Sequence, residues 1–407
     1  MPQALPFTPF LRDPTLRATA WLLVLWGAVV CAFGPYTSVL AVETFGLGDR
    51  GYAALLVVSS LLSVTAALWV GIRADQTANR RRMALSSVAI LLAGLALVSV
   101  APSPATFVVM HAVLLPVSGT LWGQLFALAR LAASTHPPAD RDGILAALRG
   151  LFALPFVIVM PIWAYAFAKG ASLLAIYPVT FGITLAMMAL MLWRWPQDGK
   201  TAWADAPSGL SFRRALAELA TPGTAARLVA LGAINGAATI YMAILALVMV
   251  PAVGRGPADV ALYFGLVAGL EVPFMFALPL ISGRLSRTWL LLLGTTAYCV
   301  QLVLLPVLAG HWTVWLLVLP AATGGAAMLT IPIAYLQDLL SSRPGTGAAL
   351  MALQTLTGQV IAAACFALGT TWASYGLVAA LSGGIAVCGA VLLHLADTRA
   401  ARQVLAP

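Results

Sequence analysis

Seven long stretches of this 407-residue chain contain no Asp, Glu, Lys or Arg. Four of them, 18–42, 51–72, 170–193 and 228–254, each suit a single helical crossing of a bilayer, for which about 20 apolar residues suffice. Three more, 83–129, 288–337 and 344–396, are long enough for two crossings. Each has a break near its middle: Pro102-Ser103-Pro104, Gly310-His311, and Trp372 to Gly376. Two further apolar runs carry one charge deep inside, Arg149 in one and Glu271 in the other. The expectation is an all-α membrane protein with twelve transmembrane helices. A soluble reading is excluded by 61% hydrophobic against 9% charged residues, which would leave far too much apolar surface for water.

The first apolar run is too long for the core of a cleaved signal peptide, so Met1 to Arg17 reads as a short retained tail. Cys31, Cys299, Cys365 and Cys388 all fall inside expected spans, where they act as small apolar side chains. Neither a disulfide framework nor a metal-ligand spacing follows from them, and no cofactor is expected.

A net charge of +9 invites a nucleic-acid reading, but the positions of the basic residues answer it. With the N-terminus cytoplasmic, 18 of the 22 Lys and Arg fall on the inside; Arg50, Lys169 and Arg255 remain outside and Arg149 lies within a span. This is the asymmetry that sets membrane topology. Both termini are therefore expected in the cytoplasm, with no nucleic-acid partner.

The longest polar stretch separates six helices from six: residues 1–195 form one expected bundle, 196–222 a cytoplasmic linker and 223–407 the second bundle. Within the linker, Leu210 to Ala220 has the pattern of a short amphipathic helix on the membrane face. The halves echo each other weakly, Ala146-Ala147-Leu148-Arg149 against Met351-Ala352-Leu353-Gln354. Such repeats are usual where two bundles rock about a central site.

Gly71-Ile72-Arg73-Ala74-Asp75, followed by Asn79-Arg80-Arg81-Arg82, occupies the first short cytoplasmic loop and resembles the loop signature of the major facilitator superfamily. Gly71 there would allow close helix contact, and Asp75 would meet helix dipoles or a neighbouring arginine, for which Arg130 is the proposed partner. Three further segments resemble the bacterial sugar efflux transporters of that superfamily: Gln124-Leu125-Phe126-Ala127-Leu128-Ala129-Arg130, Gly269-Leu270-Glu271-Val272-Pro273, and Gln337-Asp338-Leu339 with Arg343. Arg149 also fits. The resemblance implies a twelve-helix facilitator fold, in a bacterial inner membrane, that exports sugars or sugar-like glycosides against proton entry. One departure weakens the antiport expectation: helix five has Val159-Met160-Pro161 where a Gly-Pro-Pro-like turn belongs.

The polar exceptions inside the spans carry the functional expectations. Glu271 sits about 18 Å from either face at helical rise. A carboxylate at that depth is costly to keep charged, so it would carry a proton part of the time and exchange it when a gate opens, which nominates it for proton coupling. Arg149, about 10 Å inside, is open to a substrate contact or to snorkelling. Hydroxyl-rich ligands need neutral donors and acceptors plus an apolar platform. Asn235, Gln124, Gln337, Gln354 and Gln359 offer the amides, and Trp26, Tyr36, Trp122 and Tyr241 the platforms. Gly71, Asp75, Arg80, Arg81, Arg130 and Asp338 are expected to serve gating or structure at the cytoplasmic ends. Each of these side chains has a plainer reading, an interhelical hydrogen bond or a packing contact.

The partners expected are thus a small sugar, protons and the lipid bilayer, with the chain a monomer. A broader exporter of drugs or other small molecules is the alternative. An enzyme is not expected: HExxH, Gly-x-Ser-x-Gly and paired mid-membrane aspartates are all missing from the sequence.

Overall fold

The computed structural model describes residues 12–77, 80–197, 200–203, 222–282, 285–339, 344–372 and 374–405. The segment Leu210 to Ala220 and its expected amphipathic helix lie outside these residues. Twelve helices are long and apolar enough to cross a membrane among the described residues. They are α1 Pro14–Phe33, α2 Gly48–Thr77, α3 Arg80–Val100, α4 Pro104–Ser134, α5 Pro138–Ala168, α6 Ile176–Arg194, α7 Pro222–Met249, α8 Pro257–Ser282, α9 Arg287–Leu308, α10 Val318–Leu339, α11 Pro344–Thr371 and α12 Tyr375–Leu405.

Their ends follow local rules. Asp13 caps α1 by accepting from the amides of Thr15 and Leu16 at 2.7 and 3.2 Å, with Pro14 in the first turn, where its missing N–H costs nothing. Ser103 and Thr106 form a reciprocal capping box at the start of α4, and Ser286 caps α9 through the Trp289 amide. Gly46 and Gly48, at φ 65° and 64°, turn the chain into α2 through backbone that residues with a side chain rarely adopt. The three expected breaks all separate helices, at 101–103, at 309–311 and at Trp372 and Ser374. A departure from regular helix occurs in α4, where Val109–Leu114 winds as a π-helix just before Pro116. Proline cannot donate to the preceding turn, and the wider π register redistributes the freed carbonyls.

The chain divides into two compact units. Unit 1 comprises the described residues within Met1–Gly34, Leu61–Trp163 and Lys169–Leu210. There α6 packs on both α1 and α3, burying Leu16, Leu22 and Leu23 of α1 and Leu91 and Leu95 of α3. Gly27 of α1 lies so close to the Phe152 carbonyl of α5 that no side chain fits between them.

Unit 2 comprises the described residues within Pro35–Ser60, Ala164–Ala168 and Ser211–Pro407. Its frame is α7 packed on α11 and α12, with α9 between α10 and α12 and α8 against α10. Small residues make these approaches possible. A Cβ on Gly232 would strike Thr357, one on Gly389 would lie 2.8 Å from the Ala230 carbonyl, and one on Gly294 would meet Ala327. Lipid tails supply no hydrophobic drive between helices, so such close packing must hold them together. Polar ties close the ends. Asp397 of α12 pairs with Arg227 of α7 at 3.5 Å and accepts from the Tyr335 hydroxyl of α10 at 2.9 Å. At the other end, Arg255 donates to the carbonyls of Ala309 and His311 and to Asp259, with its guanidinium 5.3 Å over the Trp315 ring.

Candidate functional site

Unit 2 holds Glu271, Tyr241, Asn235, Gln354 and Gln359 of the groups that sequence singled out, and the backbone of α10 makes room for Glu271. Glu271 is half-buried on α8, about 21 Å along the helix from Pro257. Its Oε1 occupies the place that a Cβ on Gly325 would need, so α10 meets the carboxyl with bare backbone. The preceding Gly324 does the same toward α9: a Cβ there would lie 2.7 Å from the Tyr298 Cβ. Two adjacent glycines therefore let α10 approach α8 and α9 together. No hydrogen bond or ion pair engages Glu271 among the described residues.

Tyr241 of α7 is 2% exposed and stands among three rings: Tyr263 at 6.5 Å and Phe264 at 6.2 Å on α8, and Tyr298 at 5.7 Å on α9. Both Tyr241 and Tyr298 lie within electrostatic range of Glu271. Gln301, fully buried on α9, donates from Nε2 to the Tyr263 hydroxyl at 3.4 Å. Asn235 of α7 is half-buried in the notch at Gly358 of α11, where a Cβ would lie 2.8 Å from its Nδ2. Gln354 and Gln359 of α11 are half-buried, and the Gln359 Oε1 has no partner among the described residues. The side chains of Gln337 and Asp338 lie outside what the structure describes.

Unit 1 holds a different set. Gln124 is 3% exposed with an unpartnered Oε1, and Trp26 is 5% exposed within the packed core. Trp122 is exposed, edge-on to Phe126 and Phe152, each at 4.4 Å. Arg149 is exposed on α5, and Arg130 is exposed at the end of α4. Arg81 donates to the Leu192 carbonyl at 3.1 Å, closing the last turn of α6. The Asp75 side chain lies outside the described residues, and with it the proposed pair with Arg130. Gly71 departs from its expected role: a Cβ there would find nothing within 4 Å, so the residue is not needed for close helix contact. Tyr36, expected as a sugar platform, belongs to unit 2, where its hydroxyl donates to the Pro257 carbonyl at 2.8 Å and its ring meets Phe167 edge-on.

Sequence reasoning passed over Tyr263, Tyr298, Gln301 and the Gly324-Gly325 pair. A signal was present in the spacing of Thr295, Tyr298 and Gln301, a polar stripe at helical period on one face of α9. A shallow groove of about 400 Å³ between α2 and α11, lined by Arg50 and by alanines and valines, contains none of these groups. Among the described residues, no three His, Cys, Asp or Glu side chains gather as a metal site requires.

Twelve apolar membrane-length helices among the described residues take the major facilitator fold. Known proteins agree. The chain is 25% identical over 354 residues, 83% of its own length and 87% of the relative's, to a Deinococcus radiodurans protein assigned by inference as a sugar efflux transporter, in line with the resemblance read from sequence. No protein-family profile matches. Among solved structures the fold matches a mutant of the nucleoside transporter NupG, with a TM-score of 0.76 at 12% identity, covering 94% of this chain and 98% of that one. It also matches a D-xylose-proton symporter, with a TM-score of 0.69 at 13% identity and coverage of 93% and 96%. A POT peptide transporter complexed with alafosfalin gives a TM-score of 0.71 at 15% identity, covering 94% of each chain. These relatives are transporters, not enzymes.

Proposed function

We infer that the chain exports sugars or sugar-like glycosides across a bacterial inner membrane, by proton antiport with alternating access and with both termini cytoplasmic. The observation that carries this reading is Glu271, a mid-helix carboxyl that meets the bare Gly325 backbone, lies near the Tyr241 and Tyr298 hydroxyls and has no cation paired with it among the described residues. A carboxyl so held can take up and release a proton at modest cost, while an arginine beside it would fix the charge. Asn235, Gln354 and Gln359 supply neutral partners for sugar hydroxyls, and Tyr241 offers an apolar ring face. Gln124 and Trp122 are the corresponding candidates in unit 1. The relative assigned to sugar efflux supports the substrate class. Arg80, Arg81, Arg130 and Asp338 serve the inner ends of their helices, and the protein acts as a monomer.

Uptake of labelled sugar into proteoliposomes under an imposed pH gradient tests the coupling. Glu271→Gln is expected to abolish gradient-driven uptake while keeping exchange of sugar for sugar; gradient-driven uptake at the wild-type rate would remove Glu271 from the mechanism. The aromatic wall of Tyr241, Tyr263 and Tyr298 favours a second reading, export of larger lipophilic compounds. Thermal stabilisation by sugars but not by such compounds decides for the first.

A further inference from the structure

Of the buried oxygens in unit 2 that have no partner among the described residues, three lie on α7 and α9: the Tyr241 hydroxyl of α7, and the Thr295 Oγ1 and Gln301 Oε1 of α9. Their side chains are 2%, 0% and 0% exposed. Leaving such groups dry is costly, and the chain shows the usual remedy elsewhere. Thr296, the next residue, donates to the Leu292 carbonyl one turn back, as Thr239, Thr330 and Thr357 do to theirs. Thr295 does not.

The three oxygens are also ordered in depth. Measured at helical rise from the end of unit 2 that carries Pro257 and Leu308, Tyr263 and Gln301 lie about 10 Å in, and Thr295 and Glu271 about 20 Å in. Tyr241 and Tyr298 fall between them, with ring centroids 5.7 Å apart. Nearer the end, the Tyr263 ring lies 6.0 Å from that of Trp315, which carries the Arg255 guanidinium. Polar groups on α7, α8 and α9 thus run from that end to Glu271. Buried water makes about three hydrogen bonds and settles where polar groups lack partners.

We propose that the Tyr241, Thr295 and Gln301 oxygens hold a file of ordered waters that conducts protons between Glu271 and the Trp315 end of unit 2. The inference deepens the reading of Glu271 as the proton carrier and rests on it. A proton entering the file breaks an O–H bond of a hydronium outside and forms one on the outermost water; each water in turn exchanges one O–H for another, and the last O–H forms on the Glu271 carboxylate. Nothing is oxidised or reduced. The titratable groups near Glu271 are Tyr241 from α7 and Tyr298 from α9. From α10 the Gly325 backbone meets it.

Two measurements on the full chain in lipid nanodiscs test the file. A high-resolution map is expected to show waters within hydrogen-bonding distance of all three oxygens; a dry interior overturns the proposal. After a pH jump, the Glu271 carboxyl infrared band, assigned by its loss in Glu271→Gln, reports arrival of the proton. Thr295→Val and Gln301→Leu are expected to slow that arrival several-fold while reaching the wild-type end point, and Thr295→Ser to restore it. Thr296→Val, on the exposed face with its hydroxyl tied to backbone, is expected to leave the rate unchanged. Wild-type rates in both α9 variants overturn the file alone. Failure of the coupling reading shows separately, as gradient-driven sugar uptake that survives Glu271→Gln.

Discussion

Units 1 and 2 each set a titratable side chain among apolar helices, and they hold it in opposite ways. His111 of unit 1 is 3% exposed, with its Nε2 bonded to the Tyr177 hydroxyl at 2.9 Å, its ring stacked on Phe107 at 4.3 Å and Phe33 edge-on at 5.6 Å. It sits in the π-helical turn of α4, and its packing spans α1, α4 and α6. Glu271 of unit 2 is half-buried, has no such bond among the described residues, and faces glycine. One group is locked by hydrogen bond and aromatic contact on several sides; the other is given space. The difference is what the proposed proton role of Glu271 rests on: a titratable residue locked into the fold in one unit and one without a hydrogen-bond partner among the described residues in the other.

The largest effect is expected where that space is removed. Gly325→Val would drive a side chain into the position of the Glu271 carboxylate. Displacing it should abolish gradient-driven sugar uptake as completely as Glu271→Gln does, and overpacking should cost about 1–3 kcal/mol in thermal unfolding. Near-normal uptake would show that the glycine does not position the acid. His111→Ala probes the locked counterpart. Losing the ring and its bond to Tyr177 should cost about 3 kcal/mol, while the pH profile of uptake by the surviving protein stays that of wild type. A shifted profile would make His111 a second proton site and end the contrast between the units.

The helix map could be read from the chain because hydrocarbon excludes charge so strongly that missing charges mark spans and the rare exceptions stand out. Glu271 was visible for that reason, and Asn235 as an amide inside a span. The glycines that place them were not, since Gly325 and Gly358 acquire meaning only once α10 meets α8 and α11 meets α7. Thr295, Tyr298 and Gln301 carry no charge and disappear into an apolar average, although their spacing puts them on one face. The π-helical turn at His111 likewise follows from packing and the nearby Pro116, neither of which a hydropathy pattern records. Tyr36 shows the converse error: an aromatic residue near a helix end looks free to bind a sugar until its hydroxyl is found on the Pro257 carbonyl. Tyr36→Phe removes that bond and should cost about 1 kcal/mol of thermal stability.

The smallest effect is expected at Arg149, the other charge inside an apolar run. Its counterpart Glu271 is held by surrounding helices, whereas Arg149 is exposed on α5. An arginine about 10 Å from the start of its apolar span at Gly143 can carry its guanidinium to the interface on its own stem, so the charge need not be paired inside the protein. Arg149→Gln should therefore change thermal stability by no more than about 0.5 kcal/mol, the range of ordinary surface substitutions. Sugar exchange at saturating and limiting concentrations separates the remaining possibilities. A snorkelling arginine leaves kcat and KM as they are. A rise in KM with kcat held would place Arg149 against the substrate, and each unit would then contribute one functional charge instead of unit 2 alone.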